Sequence, residues 1–328
     1  MKAIVSKTYG PPDVMELEDV PTPTPDENRV LIRVKAASIN AFDWHMMRAD
    51  PFFVRLGAGF FKPKRNILGA DAAGIVEAVG SDVKHLKVGD EVYADTSGCL
   101  AGSFAEYVSV RETVVAPKPS GMTFEEAAAV PLAAVTALQS LRDRGNIQAG
   151  QKLLINGASG GVGTFAVQIA KALGARVTGV CSTRNVDMVR SLGADHVIDY
   201  TREDFTRSNE RYDLILAANG NRSVFAYKRA LTPNGTFVIA GGTMRQFYQY
   251  FLLKSLASIG NGKKLTNILM KPNRRDLEYM TELIEAGKVR AVIDKKYPLD
   301  GVPDAIRYME QEHTRGKVVI TMSDSDEQ

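Results

Sequence analysis

Ile155-Asn156-Gly157-Ala158-Ser159-Gly160-Gly161-Val162-Gly163 separates an apolar run, Leu153-Leu154-Ile155, from a segment with helical spacing. The run is apolar throughout, as in a parallel strand covered on both faces. Val162, Phe165, Ala166, Ile169, Ala170 and Leu173 fall at i, i+3, i+4, i+7, i+8 and i+11, one face of a helix that Gly174 closes. Between them, Ala158-x-Gly160-x-x-Gly163 reads as the dinucleotide fingerprint with alanine in its first place. Missing side chains let the backbone approach an anion, and helix-terminal N–H groups point at it with the positive end of the dipole. A glycine triad alone is a weak sign; the strand before it and the helix after it give it meaning. Ser159, Gly160, Gly161 and Val162 are expected to face a pyrophosphate.

Outward from this turn the rhythm continues. Spacing predicts a strand over 176–182, a helix over 185–192 stopped by Gly193, and strands over 196–200, 213–216 and 236–240. Alternating strands and helices imply a doubly wound parallel sheet with right-handed crossovers. Residues 1–120 differ: short β-branched runs such as Val30-Leu31-Ile32-Arg33-Val34 and Gly74-Ile75-Val76-Glu77-Ala78-Val79 alternate with Gly and Pro. The stretch Val20-Pro21-Thr22-Pro23-Thr24-Pro25 is too proline-rich for a central strand. Near 121 the texture changes. Thr123-Phe124-Glu125-Glu126 has capping-box spacing, and an alanine-rich helix follows, interrupted by Pro131. After 272 come a helix over 275–285, a strand over 289–297, a helix over 303–311 and a strand over 317–321. These are too few for a third domain and are expected to rejoin the first. The expected division is therefore 1–121 with 273–328, around an inserted 122–272.

The chain has 328 residues, more than one core usually serves. With 45% hydrophobic and 24% charged residues it is neither disordered nor fibrous. Lys plus Arg number 41 against 38 Asp plus Glu, a net charge of +3. So weak a field argues against nucleic acid or a membrane surface as the main partner. No apolar stretch is long enough to span a bilayer and the N-terminus has no signal-peptide core, so a soluble cytoplasmic protein is expected. Cys99 and Cys181 cannot supply a zinc ribbon or a disulfide framework, and buried free thiols are the expectation. The polar, acidic end 323–328 reads as a frayed tail.

The end of the second nucleotide-domain strand bears on which dinucleotide binds. A site for NAD usually carries Asp or Glu there, about 20 residues after the glycines, to hold the ribose 2′-OH. Here stand Cys181-Ser182-Thr183-Arg184, without an acid. A carboxylate would repel a 2′-phosphate, whereas hydroxyls and a guanidinium bind it. Ser182 and Arg184 are therefore expected to read NADPH. Ser182 could equally cap the following helix, and Arg184 could be a solvated charge.

Gly69-Ala70-Asp71-Ala72-Ala73-Gly74-Ile75-Val76-Glu77-Ala78-Val79-Gly80, then Val88-Gly89-Asp90-Glu91-Val92, resemble the N-terminal domain of the medium-chain dehydrogenase/reductase superfamily. So do Ser38-Ile39-Asn40-Ala41-Phe42-Asp43, the glycine turn and the closing Gly316-Lys317-Val318-Val319-Ile320. The resemblance spans essentially the whole chain and is strongest to the zinc-free, quinone-oxidoreductase-like branch. It implies a GroES-like β domain holding both chain ends and an inserted Rossmann domain. Zinc-dependent relatives carry a cysteine at the position of Asn40, a histidine at Ala70 and a cysteine near Leu132, so the resemblance implies no catalytic zinc. His45, His85, His196 and His313 stand apart from one another in sequence. The resemblance also places Thr136 facing a nicotinamide, Tyr200 near the 2′-phosphate, Asn219 and Gly241 at cofactor-contacting strand ends, and Lys317 within reach of the phosphates.

Without a metal, no Lewis acid polarises a carbonyl. Substrates already poised to accept hydride become the expectation: quinones, and double bonds conjugated to a carbonyl. The protein must supply a dry slot, hydride geometry and a hydrogen-bond donor. The Asn40 amide is the candidate donor. Asp43, an acceptor when ionised, either orients Asn40 or serves as a structural turn acid. Phe42, Trp44, Phe52, Phe53, Phe60 and Phe61 crowd residues 42–61, and Phe247, Tyr248, Tyr250 and Phe251 follow Gly241. These are expected to line an apolar slot, with core packing the alternative for any one ring. Lys264-Leu265-Thr266-Asn267-Ile268-Leu269-Met270 reads as an edge strand, either solvated or pairing across a homodimer. A cofactor-binding sensor that keeps the fold without turnover is the rival to the enzyme.

Overall fold

The computed structural model describes residues 1–99, 102–220, 222–242, 249–250, 262–311 and 314–322. The chain divides into two compact units: Met1–Ala133 with Lys271–Glu285 and Ala291–Gln328, and Ala134–Met270 with Ala286–Arg290.

In the first unit, β1 (Lys2–Ser6) and β2 (Met15–Asp19) form a two-stranded antiparallel sheet. The remaining strands are β3 (Arg29–Ile39), β4 (Asp71–Val79), β5 (Glu91–Asp95), β6 (Tyr107–Arg111) and β7 (Val115–Pro117). The long β3 pairs with β4 and, over its first half, with β6. Its second half pairs with a strand from the C-terminal return, described below. Core side chains such as Ile4, Ile32, Val34, Val76, Phe104 and Val108 pack inside. Residues 20–25 form no strand, as their prolines require. Thr123 caps the helix Phe124–Ala128: its hydroxyl accepts from Glu126 N–H, and Glu126 reaches back to Thr123 N–H. This helix packs on β3 and β4. The boundary between the units therefore falls at Ala133/Ala134 rather than 121/122. Pro131 does not interrupt one helix. It opens a second, Pro131–Gln139, where a missing N–H costs nothing.

The second unit carries β8 (Lys152–Asn156), β9 (Arg176–Cys181), β10 (His196–Asp199), β11 (Tyr212–Ala217), β12 (Leu231–Ile239) and β13 (Lys264–Asn267). All pair in parallel, in the order β10-β9-β8-β11-β12-β13. The order reverses between β8 and β11, the switch point at whose carboxyl ends such sheets bind ligands. The helix Gly161–Ala172 is buried continuously from Gly163 to Ala170, more than the single apolar face its spacing implied. β13 ends the sheet among the described residues.

The chain then returns to the first unit. Helix Arg274–Glu285 leads to β14 (Ile293–Pro298), helix Val302–Gln311 and β15 (Lys317–Thr321). β15 joins β3 antiparallel, giving a seven-stranded sheet ordered β14-β15-β3-β4-β5-β7, with β6 on β3. No helix among the described residues is long and apolar enough to cross a membrane.

Candidate functional site

The glycine turn closes the end of β8 and opens the following helix. Gly157, not Ala158, makes the tight turn, at φ +89°. Its N–H and that of Ala158 both bond to Val180 O on β9. A Cβ on Gly157 would lie 2.8 Å from Asn219, and one on Gly163 would lie 2.0 Å from Gly157 O. Those two glycines are required by packing. Gly160 differs: among the described residues its Cβ would meet only Gly157 O, at an ordinary 3.7 Å. It is the N-cap of the helix and brings no side chain to the first turn. The N–H groups of Gly161 and Val162 thus have no intrahelical acceptor. These features fit a dinucleotide pyrophosphate.

Ser159, half-buried, is tied to the neighbouring strand end by Asn185, a residue that no sequence motif marks. The buried Asn185 donates from Nδ2 to Ser159 Oγ at 3.1 Å and to Ser182 Oγ at 3.2 Å. Its Oδ1 has no partner. Ser182 is the N-cap of the 3-10 turn Thr183–Asn185, and Arg184 is exposed on that turn. An acid does lie here, from the next strand. The register of β10 on β9 sets Asp199 beside Cys181, and its carboxylate accepts from Thr183 Oγ1 at 2.5 Å. That bond, with those from Thr201, holds the Asp199 carboxyl below the usual carboxylate range. A strand neighbour cannot be seen in local sequence. Tyr200 N–H bonds to Cys181 O, and the residue is 38% exposed.

Asn219 N–H bonds to Asn156 O at the end of β8, so Asn219 lies over Gly157. Gly241 N–H bonds to Ala217 O, and a Cβ there would lie 2.4 Å from Ala218 O. Ser159, Gly160, Asn219 and Gly241 thus gather at the carboxyl ends of β8, β11 and β12. Thr136 is buried within the helix Pro131–Gln139.

The first unit holds a different cluster. β3, β4 and β5 align Ser38, Asp71 and Asp95 across three strands. Extending the β15–β3 register from Val318↔Ile39 puts Lys317 opposite Asn40. Asp71, fully buried, accepts at Oδ2 from Ser38 Oγ at 2.6 Å, Asn40 Nδ2 at 2.8 Å and Lys317 Nζ at 3.2 Å. Its Oδ1 accepts from Leu132 N–H at 2.7 Å. In the sequence Asp71 is one member of a motif; it becomes a buried acid with four donors only once β3, β4 and β15 are paired.

Lys317 corrects an expectation. Its ammonium, 3% exposed, donates to Asn40 Oδ1, to Asp71 Oδ2 and to Ile39 O at 3.2 Å. An ammonium has three N–H groups, and all three are committed, so none is left for a phosphate. Asn40 is likewise turned inward. Its Nδ2 donates to Asp71 and, at a long 3.3 Å, to Ser38 O. Asp43 accepts from Asn40 N–H at 2.8 Å and Gly69 N–H at 3.0 Å, so it organises backbone at the start of the helix Ala41–Arg48. Burial pushes the Asp43 carboxyl up to about 7. Burial, with Asp71 opposite, pushes Asp95 up to about 7 as well. Asp95 Oδ1 accepts from Ser97 N–H, while Oδ2 has no partner.

These residues do not fit zinc. The Asn40 amide is occupied by Lys317 and Asp71, Ala70 offers a methyl group, and Leu132 contributes only a backbone N–H. Among the described residues no three His, Cys, Asp or Glu side chains group as a metal site. His313 lies outside the described residues. Cys99 and Cys181 are buried free thiols; burial raises both, Cys181 to about 11, and suppresses their thiolates.

The aromatic clusters divide. Trp44 packs on the first unit's core, with Nε1 donating to Glu310. Phe52, Phe53, Phe60 and Phe61 are 62%, 55%, 51% and 89% exposed. Phe60 sits edge-on to both Phe52 and Phe61. Phe42 is half-buried beneath Arg65. For Tyr250 the core-packing alternative holds: it is 1% exposed in the nucleotide-unit core, its hydroxyl on Asn267. Phe247, Tyr248 and Phe251 lie outside the described residues.

Known proteins match this architecture over the whole chain. Residues 26–120 match the alcohol dehydrogenase GroES-like domain, and residues 192–320 match the zinc-binding dehydrogenase domain. A chloroplast envelope quinone oxidoreductase homolog of Arabidopsis thaliana is 34% identical, over 98% of each chain. An NADPH-dependent alkenal/one oxidoreductase of the same plant is 36% identical, over 98% of this chain and 79% of its own. The quinone oxidoreductase of Coxiella burnetii superposes with a TM-score of 0.86 at 29% identity, over 98% of this chain and 99% of that one. With its glycine turn at the switch point of a parallel sheet and a β unit holding both chain ends, the chain belongs to the medium-chain dehydrogenase/reductase superfamily of oxidoreductases, in the quinone-oxidoreductase-like branch.

Proposed function

We propose that this chain is an NADPH-dependent, zinc-independent oxidoreductase acting on a quinone or another α,β-unsaturated carbonyl. The observation that carries the reading is Gly160, whose vacant Cβ position opens outward between two glycines that packing requires. Bound NADPH would supply the hydride. The chain's own part is binding and orientation. Gly160, Gly161 and Val162 present backbone to the pyrophosphate, and Ser159 is held in place by Asn185. Ser182 and Arg184 take the 2′-phosphate and Tyr200 flanks it, while the neighbouring Asp199 carboxylate is taken up by Thr183 and Thr201. Asn219 and Gly241 shape the strand ends, and Thr136 faces the nicotinamide. Asn40 supplies the hydrogen-bond donor, and Asp43 holds the turn that presents it. The names of the two Arabidopsis relatives support the cofactor and the substrate class. The outer edge of β13 is assigned to a second copy of the chain, and light scattering would test this by the mass in solution.

NADPH consumption over a panel of quinones, enals and enones tests the reading. Turnover of at least one class is expected, with no zinc in stoichiometric amount by elemental analysis. NADPH binding without turnover across the panel would favour a sensor, and stoichiometric zinc would sink the metal-free mechanism. Arg184→Ala is expected to weaken NADPH about 10–100-fold while leaving NADH nearly unchanged, as charge-assisted bonds to a phosphate are worth about 1.5–3 kcal/mol.

A further inference from the structure

The three positions at which zinc-dependent relatives place ligands are not left idle in this chain. The Asn40 side chain and the Leu132 backbone meet on the carboxylate of Asp71, which directly follows Ala70. Lys317, from the far end of the chain, inserts its ammonium into the same cluster. We propose that Lys317 is the positioning residue for Asn40, an internal cation replacing the metal as the organiser of this cluster. The inference rests on the functional reading above, in which Asn40 is the donor.

The physical case is the charge pattern around one amide. Asn40 Oδ1 faces the ammonium and Nδ2 faces the carboxylate. Turning the amide over would set its NH2 against Lys317 and its oxygen against Asp71, repulsive at both ends. At 6%, 3% and 0% exposure for Asn40, Lys317 and Asp71, little water screens those contacts. The amide therefore has one orientation. One Nδ2 hydrogen is spent on Asp71. The other has only the long contact to Ser38 O, and is the hydrogen that can be shared with a substrate oxygen. An ammonium on Oδ1 also draws electron density through the amide, making that N–H a stronger donor.

A merely structural ion pair predicts something different, and a double variant separates the two. Lys317→Met alone strands a buried carboxylate; Lys317→Met with Asp71→Asn removes both charges together. The double variant is expected to melt near the wild-type temperature and to bind NADPH as wild type does. Its kcat should fall at least tenfold with little change in the substrate KM. Recovery of wild-type kcat would overturn the proposal. A second readout needs no turnover: in protein labelled with 15N-asparagine, the Asn40 side-chain amide signal should shift on loss of Lys317, and an unmoved signal would overturn the clamp. If wild type turns over no quinone or enone, the functional reading fails, while this amide signal still decides the clamp. If the double variant does not fold, Lys317→Arg serves. It keeps the balancing charge but carries a longer planar head, so kcat should fall and the amide signal should move. No change in either would again overturn the proposal.

Discussion

The two units handle polar groups in opposite ways. Around Asp71 the acceptor is filled by four donors, and Lys317 and Asn40 point inward at it. Around Gly160 the backbone is left open: a helix starts without a side-chain cap, and the Cβ position above it is vacant. One cluster is closed around its carboxylate, with only the long Asn40 contact to Ser38 O loosely made; the other leaves its backbone donors open. Open backbone donors suit a binding surface, whereas a carboxylate filled by four donors suits a scaffold that orients the groups around it.

That contrast can be broken most severely at Asp71. Asp71→Ala leaves the Lys317 ammonium buried without its carboxylate, a loss of about 3–5 kcal/mol by the usual cost of splitting a buried pair. Urea unfolding would measure it, and a change within experimental error would show that the cluster is not closed as described.

Next in size is a pH effect within the same row. Asp95 sits at about 7 in the folded protein, and an unfolded aspartate near ~4. Between these values the folded state holds a proton that the unfolded state has lost, so stability is highest at the acid end. It declines as pH rises toward about 7 and is flat above. Asp43 contributes in the same sense. Asp95→Asn should remove its share, raising stability at pH 8 relative to wild type by roughly 2–4 kcal/mol and leaving a shallower slope owed to Asp43. Urea midpoints at pH 5 and pH 8 would show it. An unaltered slope would mean that Asp95 is not held protonated.

The smallest effect on stability separates two glycines of one turn. Gly160→Ala should leave unfolding within about 0.5 kcal/mol of wild type, as for a substitution that meets no neighbour. NADPH affinity should fall at least tenfold in a fluorescence titration, because the methyl group occupies the ligand's approach. Gly163→Ala should instead destabilise the nucleotide unit itself, since its Cβ would meet Gly157 O. Equal behaviour of the two variants would erase the distinction between open and packed glycines.

Much of the second unit was readable because its signals are local. A strand, a glycine turn and a helix follow one another within 152–172, and each is set by spacing along the chain. Even there the fingerprint has a limit: it begins at Ala158, and only the backbone reveals that Gly157 before it takes positive φ. Asp199 and Asn185 escaped notice because they reach Thr183, Ser159 and Ser182 through strand pairing and a short turn. For Tyr250 the sequence leaves slot and core packing as alternatives, and its environment is the nucleotide-unit core.

Periodicity and residue chemistry determined the strand–turn–helix with its dinucleotide fingerprint and the parallel character of the inserted sheet, and the family resemblance added that Asn40 and Ala70 stand where zinc-dependent relatives carry ligands. Only the tertiary structure decided what stands in that place. Lys317 and Asn40 are 277 residues apart, Lys317 and Asp71 are 246 apart, and nothing along the chain couples them. β15 folds back onto β3, and burial then forces each charge to find a partner.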